Sequence, residues 1–99
     1  MVLNKYNFVM YCSRNCIPSN KTGKHSKGPY YGHIGMFVFK PKYLKEYMTE
    51  DTICQLEEDI EWLKILEQGY KIISSEVEDF EIGVNTRDDY EYLIKKYNL

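Results

Sequence analysis

Four polar side chains stand where this sequence could do chemistry. His33 lies between Gly32 and Gly35 at the mouth of the run Tyr30-Tyr31-Gly32-His33-Ile34-Gly35-Met36-Phe37-Val38-Phe39, where a polar entrance passes directly into a continuous apolar block. The glycines leave the backbone unshielded, so a ligand or another strand can come close. An imidazole there changes charge near neutral pH, although a histidine at a strand entrance is also an ordinary surface or hydrogen-bonded residue. Arg14 follows the first apolar run. A guanidinium at the carboxyl end of a strand matches the carboxylate or phosphate that α/β proteins hold at that place. Glu61 falls one turn after Glu57 and beside Trp62, at the edge of an apolar stripe, although most of the acidic residues 57–61 read as a solvated face. Asn85 belongs to Gly83-Val84-Asn85-Thr86-Arg87-Asp88-Asp89, a strand end feeding a helix, which a plain capped loop explains equally well.

Two further constellations carry less. Cys12, Cys16, His25 and His33 are the residue types of a tetrahedral zinc site, but their spacing is poor and ordinary buried or loop roles are preferred. Lys21-Thr22-Gly23-Lys24-His25-Ser26 has basic and glycine residues together without the spacing of a phosphate-binding loop.

The elements that must position these groups follow from periodicity and punctuation. Residues 6–12 are nearly continuous in apolar and aromatic side chains and read as a strand. Residues 13–29 collect Ser, Asn, Lys, Gly and Pro without period, the mark of a long exposed loop. Residues 36–39 read as a central buried strand, stopped by Pro41, which suits the first turn of a helix carrying Tyr43, Leu44, Tyr47 and Met48. A helix is expected from Thr52, with Gln55 completing a capping box, Leu56, Ile60, Leu63 and Leu66 as its stripe, Glu57, Glu58 and Asp59 near its positive end, and Gly69 as its stop. Residues 70–74 read as a short strand and 77–84 as looser extended chain. Thr86 caps a last helix with Tyr90, Leu93, Ile94 and Tyr97 on one face and Lys95 and Lys96 at its end.

Composition bounds the whole. Ninety-nine residues, 43% apolar and 28% charged, make one globular domain, residues 1–99, with a modest core. A net charge of -2 argues against a nucleic-acid module, and no apolar run approaches the ~20 residues of a membrane span. With no charged leader before an apolar signal and three cysteines without a Cys-x-x-Cys pair, the expectation is a cytoplasmic chain with reduced thiols.

Four separated segments, in order, resemble the cytidylyltransferases that activate acidic sugars, most closely the 3-deoxy-manno-octulosonate cytidylyltransferases (CMP-KDO synthetases). Tyr11-Cys12-Ser13-Arg14-Asn15-Cys16-Ile17-Pro18 is similar to the family's aromatic-x-Ser-Arg-x-x-Ile-Pro, and Tyr31-Gly32-His33-Ile34-Gly35 to its Tyr-Lys-His-Ile-Gly. Glu61-Trp62-Leu63-Lys64 and the following Leu66-Glu67-Gln68-Gly69-Tyr70-Lys71-Ile72 are similar to Glu-Gln-Leu-Arg and Leu-Glu-x-Gly-x-Lys-Ile, and Gly83-Val84-Asn85-Thr86 to Gly-Val-Asp-Thr. The resemblance covers nearly the whole chain but only the C-terminal, sugar-acid-binding half of the family's fold.

That resemblance implies a part of a three-layer α/β/α sandwich, with a small mixed sheet of three or four strands and packed helices. The parent reaction joins CTP to the octulosonic acid and releases pyrophosphate. Arg14 would meet the sugar carboxylate, His33 and Glu61 its hydroxyls, Trp62 would stand in the same pocket and Lys21 would be a further basic contact. Family members use Mg2+; here Asn85 replaces a metal-binding aspartate, and a neutral amide cannot match a carboxylate's charge, so this chain is expected to hold no cofactor. Phe37 also lacks the hydroxyl of the family's tyrosine, and Trp62 lacks the acceptor of its glutamine. The expectation is a truncated enzyme, inactive alone, binding a sugar acid as a homodimer or beside a separate nucleotide-binding chain. The alternative is a non-catalytic protein that self-associates through its sheet edge.

Overall fold

The computed structural model describes residues 1–24, 28, 30–47, 50–79 and 81–99. Two short strands, β1 (Val2–Leu3) and β2 (Val9–Tyr11), pair antiparallel around a turn in which Asn4 accepts the N–H groups of Tyr6 and Phe8 and Asn7 takes a left-handed φ of 64°. Asn is among the few side chains that tolerate that conformation. On the other side of β2, the Val9 N–H bonds the Ile72 carbonyl at 2.8 Å, the Ser74 N–H bonds the Asn7 carbonyl at 2.8 Å, and Phe8 and Ile73 form an antiparallel bridge. The expected strand at residues 70–74 is thus reduced to a bridge, and the strand expected over 6–12 to three residues.

Four helices follow: α1 (Pro41–Tyr47), α2 (Ile53–Glu58), α3 (Leu63–Glu67) and α4 (Arg87–Tyr97). Pro41 opens α1 as its fixed φ allows. Met48, expected on its stripe, lies outside the described residues. The single helix expected from Thr52 to Gly69 is two. Asp59 adopts φ 51°, ψ 48°, closing α2, and α3 begins four residues later. The apolar spacing runs through this corner without registering it, which is why periodicity alone joined the pieces. Glu57 and Glu58 consequently sit at the negative end of α2, not near its positive end as expected. Gly69, at φ 85°, ends α3 as anticipated. Thr86 caps α4, accepting the Asp89 N–H at 3.1 Å, and Asn98 closes it in the left-handed region.

The core is small. Val9, Cys12, Trp62, Leu63 and Ile65 are buried, with Leu63 fully enclosed, so β2 packs on α3. Burial of those apolar side chains contributes ~1.5 to 3 kcal/mol each. The chain is α/β in content, but the described residues form a two-stranded sheet with one added bridge, not the three or four strands expected. The missing element is the central strand: residues 36–39 belong to no strand and make no backbone–backbone hydrogen bond among the described residues. A continuous apolar run becomes a strand only when neighbours supply its ladder, and among the described residues none does.

Candidate functional site

His33 and Trp62 come together although 29 positions separate them in sequence. The imidazole centroid lies 5.2 Å from the indole and 4.7 Å from Phe37, and Phe37 lies 5.8 Å from Trp62. Phe39 lies 6.0 Å from Phe37 and 5.5 Å from Tyr47, so it continues the cluster. Partial desolvation of this exposed ring, with the Met1 ammonium nearby, holds the His33 pKa below its ordinary 6.5, so the ring favours its neutral form. A neutral imidazole can donate one hydrogen bond and accept another.

Beside Trp62, the Glu61 carboxylate is fixed from both sides. Gln55 Nε2 donates to Oε2 at 3.1 Å, and Lys64 Nζ lies 3.0 Å from Oε1. Lys64 is itself buried, bridges to Asp51 at 3.1 Å, and has its pKa raised by these two carboxylates. Gln55, also buried, uses its Oε1 to accept the Thr52 N–H at 3.0 Å, the returning half of the capping box expected there. Sequence reading found Glu61 but not the Gln55 and Lys64 that hold it. The signal was available only in part, since positions 61 and 64 are one helical turn apart.

Arg14 is held at the end of α2. Its Nε–H donates to the Glu58 carbonyl at 2.9 Å and its Nη2–H to the Asp59 carbonyl at 2.5 Å, while its own N–H donates to Glu58 Oε2 at 2.9 Å. The cation therefore satisfies the open carbonyl end of α2, where the helix dipole favours positive charge. The Asp59 carboxylate stands 3.7 Å away. Nη1 takes part in none of these bonds. The Glu58 carboxylate also accepts the Tyr11 hydroxyl at 3.3 Å, and the Arg14 N–H, with Ser13, keeps its pKa low. Arg14 and Glu61 thus meet the same α2–α3 corner from its two ends, and Trp62 leads from there to His33.

Lys21 and Asn85 are not part of this grouping. Lys21 is an exposed turn residue of the loop. Asn85 is exposed ahead of α4, its main-chain N–H bonded to Asp89 Oδ2 at 3.1 Å. That oxygen also accepts the Thr86 N–H at 2.8 Å and the Thr86 hydroxyl at 2.7 Å. Magnesium needs oxygen ligands with negative charge. The donors at this place are one neutral amide and a carboxylate committed to capping, so they do not fit the ion. Among the described residues no group of three His, Cys, Asp or Glu could hold a metal. His25, one of the zinc-type residues, lies outside them, and the described cysteines Cys12, Cys16 and Cys54 are free thiols. No helix of the described residues is long and apolar enough to cross a membrane.

Comparison with known proteins finds similarity along most of the chain. Over 90 residues it is 41% identical to the 3-deoxy-manno-octulosonate cytidylyltransferase of Protochlamydia amoebophila, covering 89% of this chain and 35% of that protein. The Arabidopsis thaliana protein named 3-deoxy-manno-octulosonate cytidylyltransferase, mitochondrial, is 42% identical over 92 residues, 91% of this chain and 32% of its own length. The Parabacteroides distasonis 3-deoxy-manno-octulosonate cytidylyltransferase is 36% identical over 96 residues, 92% of this chain and 38% of the relative. The chain spans about a third of the length of the curated relatives it matches. No family model matches, and no solved structure matches.

Proposed function

The chain belongs by sequence to the 3-deoxy-manno-octulosonate cytidylyltransferase family, of whose length it spans about a third, and we propose that it is the family's sugar-acid-binding portion, inactive by itself. The observation that carries this reading is the approach of the neutral His33 ring to Trp62, directly beside a Glu61 carboxylate oriented by Gln55 and Lys64. Apolar rings flanking a few fixed polar groups are how proteins hold a sugar: the rings lie against C–H faces, and the imidazole and carboxylate meet hydroxyls. Arg14 brings the charge for the acid group through Nη1, with its other nitrogens fixing it to the corner. Lys21 is kept as an outer basic contact.

Cytidylyl transfer itself needs a triphosphate site and the charge of a metal. Asn85 supplies no such charge, so we assign no magnesium and no catalytic residue to this chain. The nucleotide-binding strands of the three-layer sandwich would come from elsewhere. Self-association as a homodimer is the second reading, favoured by the exposed apolar residues Met36, Val38 and Ile73. Free thiols fit the proposed cytoplasmic, reducing compartment.

Saturation-transfer NMR with 3-deoxy-manno-octulosonate tests the reading. The expected result is weak binding, on the order of millimolar, equivalent to ~4 kcal/mol, abolished by Arg14→Ala and weakened by His33→Ala. No signal from the parent chain, or an equal signal after Arg14→Ala, would leave a shared fold without a shared site. Pyrophosphate release from CTP, Mg2+ and the sugar acid should not exceed that of a control without protein.

A further inference from the structure

The surface of this chain is too large for its mass. It exposes 8636 Å², whereas a folded monomer of 11.8 kDa exposes about 5,900 Å². Its radius of gyration is 16.1 Å against about 13 Å for a compact domain of this length. The excess, roughly 2,700 Å², is about three times the ~800 Å² that one partner contributes to a standard interface, and falls in the class of obligate ones.

Part of the exposed apolar surface lies at residues 34–39. Residues 34–39 alternate as a strand does: Phe37 and Phe39 face the Trp62 and Tyr47 rings, while Met36 is 78% and Val38 97% exposed. No N–H or C=O of these residues is bonded to backbone among the described residues. Alongside runs an open apolar groove of about 400 Å³, lined among others by Phe8, Val38, Tyr43, Ile72 and Ile73. A run apolar on both faces belongs inside a sheet with strands beside it and a layer over each face.

We propose that residues 34–39 are a strand of a composite sheet, and that the strand beside them and the layer over Met36 and Val38 belong to a polypeptide equivalent to the two thirds of the relatives' length that this chain does not span. The choice of occupant rests on the family reading above. The open ladder and the bare face do not, because they are features of this chain's own structure. A second copy offers the same 99 residues and the same unsatisfied segment, whereas the relatives hold the missing length in one chain.

The test co-expresses the tagged 99-residue chain with the part of the Protochlamydia amoebophila relative that it does not match, and follows hydrogen exchange at the amides of residues 34–39. Expected are a one-to-one complex, exchange at 34–39 slowed more than tenfold, and more than tenfold weaker association for Val38→Asp, whose melting temperature alone equals the parent's because the side chain touches little. Absence of a complex, or a complex in which these amides exchange as in the free chain, overturns the proposal. So does protection that grows with the concentration of the chain alone, which would make a second copy the occupant. Sugar-acid binding is measured in the same samples. Protection without sugar-acid binding supports the composite sheet and sinks the site, and binding without association does the reverse.

Discussion

The main-chain N–H of Gln55 donates to the Glu67 carboxylate at 3.1 Å, and that of Cys54 does so at 2.9 Å, so the last turn of α3 caps the first turn of α2. Two orphan donors are satisfied by a charge from another helix, a contact that ties the two together.

Glu67 should therefore control stability in acid. The Thr52 hydroxyl beside it and these N–H groups lower its pKa from 4.5 to about 2. A depressed carboxylate stabilises fully above pH 4.5, and the contribution is lost as pH falls through about 2. Glu67→Gln is expected to lower the melting temperature at pH 7, with the difference from the parent closing as pH approaches 2. A constant difference down to pH 2 would contradict the capping role.

His33 loses its contribution in the same direction, as pH falls, but in a higher range. Its folded pKa lies below 6.5, so its contribution is complete above pH 6.5 and declines as pH falls from there towards the folded midpoint. An NMR titration of the imidazole should give a midpoint under 6.5. Phe37→Ala, which removes the ring 4.7 Å from the imidazole and so raises its solvation, should move it upward.

Among the described residues Leu63 is the one side chain enclosed completely. Leu63→Ala should cost ~2 to 5 kcal/mol by lost transfer energy and a cavity, enough in so small a core to erase the cooperative urea transition.

Arg14→Ala should cost on the order of 1 kcal/mol, less than buried charge-assisted bonds because the side chain is exposed. Urea denaturation of this variant separates its structural role from its effect on ligand signal.

The capped helices, Pro41 and Gly69 were legible in the sequence because each rests on local chemistry. Asp59 was not, since a non-glycine left-handed residue inside an apolar period leaves no pattern. Residues 36–39 carried the signature of a buried strand, but a strand is a relation between segments, and none of the described residues pairs with them. Of the site, Glu61 and Trp62 were visible as neighbours of a stripe, and their link to His33 depended on the tertiary fold. Arg14 was legible as a cation near a strand end, but not that its acceptors are carbonyls, because those are released by the corner that went unseen.

That corner has a consequence for how the chain holds its own shape. Were α2 and α3 one continuous rod, the carbonyls of Glu58 and Asp59 would accept the N–H groups of Trp62 and Leu63, four residues on. Instead the Leu63 N–H turns to the Ile60 carbonyl, and Arg14 takes up the two vacated acceptors from 44 and 45 positions away. The bend and the guanidinium are thus mutually dependent: straightening the helices would evict Arg14, and removing Arg14 leaves the bend with two bare carbonyls, so the loop after β2 serves as the latch on a hinge made by a single left-handed aspartate.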